Sequence, residues 1–137
     1  MSNYQILSPQ CNWSLESMEK IKCICLMRDL FRALSVFEER LTQAYGVSLN
    51  EAMVMCSIGK EYIAASTISE RTGLTASHTS KVIRSAEEKG LLVRSLCDED
   101  KRKMYFSLTD EAKAILEKIR NQGVEIPEML QPLFDSH

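Results

Sequence analysis

The longest regular pattern in the chain is a helical repeat of apolar residues in its first third. Residues 14–45 contain neither proline nor glycine, and their apolar side chains recur at helical spacing. This spacing predicts one long helix with two adjacent apolar stripes. The first stripe comprises Ile24, Met27, Phe31, Leu34, Leu41 and Tyr45, and the second comprises Cys23, Leu26, Leu30, Ala33, Phe37 and Ala44.

An apolar band this wide has two interpretations. Either the helix is buried deep in the core of one chain, or one stripe packs within the chain and the other packs against a second subunit. Residues 128–134 raise the same question, because so short an apolar helix is hard to bury within one subunit. We hypothesise that both ends of the chain intertwine with a second copy across a two-fold axis.

Two further helices are marked by capping residues. Ser48 and Glu51 have the spacing of a capping box, which predicts a helix that continues to about Gly59. Thr109 is the predicted N-cap of a later helix, with acidic residues in its first turn where the helix dipole favours them. Gly123 ends that helix, which leaves a short segment before the C-terminal apolar residues.

Between these helices the sequence predicts a helix-turn-helix. Thr67 and Glu70 have capping-box spacing and predict a short helix that ends at Gly73. Thr75 is the predicted N-cap of a second helix, which runs to Gly90. The residues that separate the two helices number three, the length of a helix-turn-helix corner.

The second of these helices has two unlike faces. Small polar residues on an outer face suit the major groove of DNA, whose base edges offer donors and acceptors, although any surface helix also has a polar face. The predicted inward residues are Thr79, Val82, Ile83 and Ala86, and the predicted outer residues are Ser77, His78, Lys81, Arg84, Ser85 and Glu88.

A β-hairpin follows this helix. Residues 91–96 and 104–108 have strand character, and residues 62–65 are predicted to add a short third strand. The connection of residues 97–103 is long for a hairpin and ends in Lys-Arg-Lys, which suits a DNA backbone or minor groove. A helix-turn-helix followed by a basic-tipped hairpin is a winged helix.

The charge distribution supports a nucleic-acid surface more than the total does. The net charge is −2, but residues 71–103 hold eight Lys or Arg against five Asp or Glu. Residues 104–137 hold three basic residues against six acidic ones. A basic surface on an acidic body steers a protein toward phosphate.

These motifs together resemble the multiple antibiotic resistance regulator (MarR) family of bacterial transcription regulators. The family implies a mainly α fold with a small β-hairpin wing, that is, a winged helix-turn-helix with a helical dimerisation region. The residues that carry the resemblance are Gly73-Leu74-Thr75, Lys81, Glu87-Glu88-Lys89-Gly90-Leu91, Arg94, Asp100-Lys101-Arg102 and Ser107-Leu108-Thr109.

The resemblance also implies an organisation. Residues 1–137 form a single MarR-like domain, in which residues 14–45 and 109–137 are the helical dimerisation region. Residues 48–108 are the winged helix-turn-helix lobe that binds DNA. The wing departs from the family, since Ser95 and Leu96 stand where arginines are common.

The function that follows is sequence-specific regulation of transcription by a homodimer on double-stranded DNA, as a repressor at a palindromic operator. The helix places base and phosphate contacts in the major groove, and a wing arginine enters the minor groove between two flanking lysines. The expected DNA-binding residues are Thr75, Ser77, His78, Lys81, Arg84, Lys101, Arg102 and Lys103.

The family also implies two kinds of input. One is a small aromatic effector, for which Phe31, Met53, Met55 and Tyr62 are candidate pocket residues, although methionine at helical spacing is also ordinary core material. The other is thiol oxidation, for which Cys23 and Cys25 are candidates. The alternative is that these two cysteines are small buried residues with no signalling role.

Other classes of function lack their motifs. No nucleotide-binding glycine pattern or nucleophile elbow is present, and neither histidine has the neighbours of a catalytic base, so we expect no enzyme, cofactor or metal. With neither a secretory signal nor an apolar run that would span a membrane, we expect a cytoplasmic protein. The alternative function is a winged-helix protein–protein interaction module without specific DNA binding, which the low net charge favours.

Overall fold

The computed structural model describes residues 15–96, 99 and 103–135, and for residues 15–20 it gives the backbone alone. Contacts divide the chain into two compact units. One consists of residues 40–124, and the other contains the described residues 15–39 and 125–135. We call the first unit the lobe.

The predicted long helix is confirmed. Helix α1 spans Leu15–Tyr45, and residue 14, at which the sequence pattern begins, lies outside the described residues. Over most of its length its apolar band is not covered by the described part of the chain, since Phe31 and Ile24 are 73% and 69% exposed. Toward its C-terminal end Leu41 is buried in the core of the lobe.

Helix α2, Leu49–Ile58, is the first helix that lies wholly within the lobe, and it has the predicted capping box. The Ser48 hydroxyl accepts a hydrogen bond from the Glu51 N–H, and the Glu51 carboxylate accepts one from the Ser48 N–H. Both free donors at the helix N-terminus are therefore satisfied. The helix ends at Gly59, as predicted.

Two helices form the helix-turn-helix. Helix α3 spans Ala65–Thr72 and helix α4 spans Ala76–Glu88. The predicted capping box at Thr67 is wrong, because the N-cap of α3 is Ala64, three residues earlier, and it makes no side-chain cap. The predicted end is correct: Gly73 has a φ of 78°, a left-handed conformation that suits glycine.

The sheet has three antiparallel strands: β1 is Ile63–Ala64, β2 is Leu92–Leu96 and β3 is Met104–Leu108. The strand order is β1-β3-β2, so β1 pairs with β3, the second strand of the hairpin. The register places Leu92 opposite Leu108 and Leu96 opposite Met104. The predicted fold class, winged helix-turn-helix with a small wing, is confirmed.

Helix α5 follows the sheet as Asp110–Gln122. Thr109 caps it as predicted, accepting the Ala112 N–H at 3.2 Å, and Gly123 ends it. The predicted last helix is a single 3₁₀ turn, Glu128–Leu130, followed by α6, Gln131–Asp135.

The hydrophobic core lies within the lobe and draws on every element from the end of α1 to α5. Each of these elements is amphipathic, and its apolar side faces the others. The largest fully buried apolar side chains are Val47, Val54, Met55, Ile58 and Ile68.

Candidate nucleic-acid interface

Helix α4 is positioned by its own sequence. The Thr75 hydroxyl accepts a hydrogen bond from the His78 N–H at 3.2 Å and so caps the N-terminus of the helix. Thr75, one of the predicted DNA-binding residues, therefore has a structural role as well. The predicted inward face is confirmed, because all four of its residues are buried in the lobe: Thr79, Val82, Ile83 and Ala86.

The opposite side of α4 faces solvent. Ser77, His78, Lys81 and Arg84 are all exposed, so the structure places the four predicted contact residues together on one open surface. His78 Nε2 lies 3.4 Å from the amide nitrogen of Asn50, so α2 borders this surface as well. The arrangement offers hydroxyl, imidazole and cationic groups to a partner.

For one outer residue the prediction from the sequence pattern is wrong. Ser85 is half-buried, and its hydroxyl donates to the carboxylate of Glu51. Glu51 is itself buried, and it also accepts Lys89 Nζ at 2.7 Å. Burial raises the pKa of Glu51, but hydrogen bonds from Lys89, the Ser48 backbone and Ser85 outweigh it and lower that pKa overall. This carboxylate ties the C-terminal end of α4 to α2.

The base of the wing is tied to the same helix. Arg94 on β2 pairs with Glu87 on α4, and its guanidinium lies 5.5 Å from the ring centre of Phe106. The hydrogen bond from Arg94 lowers the pKa of Glu87. This ion pair therefore connects α4 to the base of the hairpin.

The wing tip is only partly described. Lys103 is exposed at the start of β3, as a phosphate contact requires. The predicted contacts Lys101 and Arg102 lie outside the described residues, as does Cys97. These assignments remain predictions.

Part of the chain is similar to a known family. Residues 45–103 match the model of the MarR family, and this segment contains α2, both helices of the helix-turn-helix, β2 and the connection that leads to β3. The similarity therefore covers most of the winged helix described above, whereas β3, α5 and nearly all of α1 lie outside the matched segment.

Solved structures agree on the fold. YusO from Bacillus subtilis is 24% identical, with a TM-score of 0.58 over 80% of this chain and 77% of that one. BpsR of Bordetella bronchiseptica, whose DNA binding is regulated by 6-hydroxynicotinic acid, is 18% identical, with a TM-score of 0.62 over 82% and 80%. AbsC, a MarR family transcriptional regulator from Streptomyces coelicolor, is 18% identical, with a TM-score of 0.61 over 82% and 77%. No curated protein sequence matches the chain significantly.

The candidate effector residues of this protein have different environments. Met55 is fully buried in the core, and Met53 is half-buried on the same helix. Tyr62 is 68% exposed beside β1, and Phe31 is exposed on the other unit. Within the lobe, the structure therefore gives Met55 a packing role.

The cysteines and the question of a metal can be examined within the described part of the chain. Cys23 is exposed and Cys25 is half-buried, and both are free thiols. Cys56 on α2 is also an exposed free thiol, although partial burial raises its pKa. Residues 15–96, 99 and 103–135 contain no group of side chains that could hold a metal and no helix that could cross a membrane.

Proposed function

We propose that this protein is a MarR-type regulator: a homodimeric transcriptional repressor that binds a palindromic operator in the cytoplasm and has no catalytic activity. The observation that carries the proposal is the exposed polar face of α4, which is opposed by four buried residues and fixed to α2 through Glu51. A helix held this way presents the same side chains to every DNA molecule, as sequence-specific binding requires.

The residues have separate proposed roles. Ser77, His78, Lys81 and Arg84 contact bases and phosphates in the major groove. Arg102 enters the minor groove, and Lys101 and Lys103 flank it on phosphates.

The proposed dimer is supported by the apolar surface of α1. Exposed side chains there lie on one broad band, and no part of the described chain covers them. A monomer would leave this area in water, whereas a second copy would bury it. The most exposed members are Ile24, Met27, Phe31 and Leu34.

Control by a small organic acid is supported by a groove within the lobe. A cavity of about 490 Å³ lies between the end of α2 and helix α5. Leu116 and Ile119 supply an apolar wall, and Lys60 and Lys113 supply positive charge. Arg120 also lines the cavity but pairs at 3.0 Å with Glu117, which is the one acidic residue of the described lining. An aromatic acid fits this combination, and thiol oxidation at Cys23 or Cys25 is the second proposed input.

The test is selection of bound fragments from random double-stranded DNA, followed by affinity measurements against salt. We expect a palindromic consensus with half-sites about one helical turn apart, roughly 34–36 Å. Affinity for mixed DNA should fall steeply between about 50 and 200 mM salt, because phosphate contacts release counterions. Selection without enrichment and a flat salt response would contradict the proposal.

The alternative, a winged helix that binds protein, is favoured by one observation. Val93 and Leu96 on β2 are about half exposed, at 50% and 55%, and Leu96 stands where arginines are common in the MarR family. The same salt titration separates the two functions. A winged helix that binds protein through apolar residues makes no specific phosphate contacts, so its affinity for DNA should change little with salt.

A further inference from the structure

A second cavity in the lobe lies beside the wing, and none of its lining residues belongs to α4. Its volume is about 470 Å³, and it is open to solvent. The walls come from three elements that are distant in sequence: the segment around β1, the first turns of α3 and the start of β3. The lining residues are Tyr62, Ile63, Ala64, Ser66, Thr67, Arg71, Lys103, Met104 and Tyr105.

The polar groups of this cavity suit an anion. The described lining includes two cations, two phenols and two hydroxyl groups, and none of its side chains is acidic. Arg71 is already engaged, because it donates to the Glu61 carboxylate at 2.6 Å and to the Ser57 carbonyl at 2.8 Å. Lys103, by contrast, makes no ion pair with any residue that the structure describes, so its charge is available to a partner.

The hydroxyl groups on α3 also divide into those that already have a hydrogen-bond acceptor within the chain and those that do not. Ser69 and Thr72 donate to backbone carbonyls of the helix and its turn, at 2.6 and 2.8 Å. Within the described chain, Ser66 and Thr67 in the first turn have no such acceptor and line the cavity instead. Their position at the start of a helix is also one where the dipole favours negative charge.

We propose that this cavity binds a phosphate of the DNA backbone next to the wing, held by Ser66, Thr67 and Lys103 with the Tyr62 hydroxyl at its edge. The proposal rests on the proposed function of DNA binding. It adds an interaction through α3 and β1 to those expected from α4 and the wing tip. A backbone phosphate fits better than a free anion, because the open cavity adjoins a lysine of the wing.

The decisive variant is Ser66→Glu. Ser66 is exposed, and a carboxylate in the first turn of a helix stabilises that helix, so the variant should melt no lower than the wild type. In the cavity the same carboxylate repels a phosphate. We expect about a tenfold or greater loss of affinity for the best selected DNA fragment at roughly 0.1 M salt.

A milder variant and a control complete the experiment. The double variant Ser66→Ala with Thr67→Ala removes both hydroxyl groups without adding charge, and should lower the affinity for DNA. If the three residues hold the same phosphate, Lys103→Ala should cause a smaller further loss of affinity in this double variant than it causes in the wild type. For each phosphate that a subunit no longer neutralises, the slope of log affinity against log salt should become shallower by about 0.9. Gln43→Glu makes the same charge change as Ser66→Glu on an exposed site of α1, and should leave affinity nearly unchanged.

The outcomes separate this proposal from the function it rests on. If the wild-type protein binds DNA but Ser66→Glu matches Gln43→Glu in affinity and salt slope, the cavity holds no phosphate and the proposal is wrong. The same holds if Ser66→Glu changes only the binding of a free organic acid such as benzoate. If the wild-type protein binds no DNA at any salt concentration, both the proposed function and this phosphate site are wrong.

Discussion

The lobe and the first part of α1 use apolar residues in opposite ways. In the lobe, apolar side chains from five helices and the sheet meet in one core, in which Met55, Ile58 and Ile68 are inaccessible to water. On α1, side chains of the same kind are largely exposed, with Phe31 at 73%. The lobe completes its core with its own residues, whereas α1 displays an apolar surface that the rest of the described chain leaves exposed, as a site for a partner would be.

The difference indicates how the two regions gain stability. Burial of the lobe's core is an intramolecular gain that does not depend on protein concentration. Burial of the α1 surface in a dimer depends on concentration by mass action. Substitutions in the two regions should therefore differ in kind as well as in size.

The largest expected effect is that of a substitution that leaves an empty space in the core of the lobe. Met55→Ala removes most of a fully buried side chain, and we expect it to lower the free energy of unfolding by about 2–5 kcal/mol. Met53→Ala on the same helix is the control, since Met53 is only half-buried and its loss should be clearly smaller. Urea unfolding at two protein concentrations measures both, and equal effects of the two variants would contradict the core described here.

The next effect is on α1. Phe31→Glu places a charge in the exposed apolar band, and we expect it to weaken self-association by about 2–4 kcal/mol. In sedimentation the wild type should have twice the chain mass of 15.6 kDa, and the variant should shift toward the single-chain mass. Binding to a palindromic operator should weaken in parallel.

The matched control for that variant is Arg32→Gln. It makes the same change in charge at the adjacent exposed position, on the side of α1 opposite the apolar band. We expect the dimer to persist. A wild-type protein that sediments as a monomer at micromolar concentration would remove the comparison between the two regions.

Much of the lobe follows from local sequence signals. Ser48, Thr75 and Thr109 are each short side chains whose hydroxyl group caps the helix that follows, and the sequence predicts all three. It does not predict the start of α3, because Thr67 and Glu70 have capping-box spacing inside a helix that already begins at Ala65. Spacing alone does not distinguish an N-cap from a residue in the first turn.

Long-range contacts explain the remaining errors. The helical period predicts that Ser85 faces outward, but its acceptor Glu51 lies 34 residues earlier in the chain. Glu51 itself is visible in the sequence only as a capping residue, and nothing local indicates that Lys89 also binds it. The cavity beside the wing escapes prediction for the same reason, because its walls come together only when β1 pairs with β3.

A third, smaller effect concerns Glu51 and pH. Glu51→Gln keeps the shape but removes the charge that Lys89 and Ser85 bind, and we expect a loss of about 1–3 kcal/mol at pH 7. The pKa of Glu51 is lowered by folding, so its charge stabilises the protein above the unfolded pKa of about 4.5, and this contribution is lost as the pH falls through the folded pKa.

Unfolding measured from neutral to acid pH provides the check on Glu51. The difference in stability between the wild type and Glu51→Gln should be constant near neutrality and should shrink at acid pH. Glu61→Gln is the control, because Glu61 forms an exposed ion pair with Arg71 and its removal should have little effect at any pH. A difference that grows toward acid pH would contradict the ionised state of Glu51 in the folded lobe.

The smallest effect tests whether the wing depends on α4. Glu87→Gln weakens the pair with Arg94, whose side chain is half exposed, so the loss of stability should be only about 0.5–1 kcal/mol. The loss of DNA affinity should be larger than this loss of stability implies, because Arg94 then no longer connects β2 to α4. Arg120→Gln removes an exposed pair on α5 and should change neither quantity. If Glu87→Gln lowers stability without lowering DNA affinity, the hairpin is held by its own pairing, and α4 does not position it.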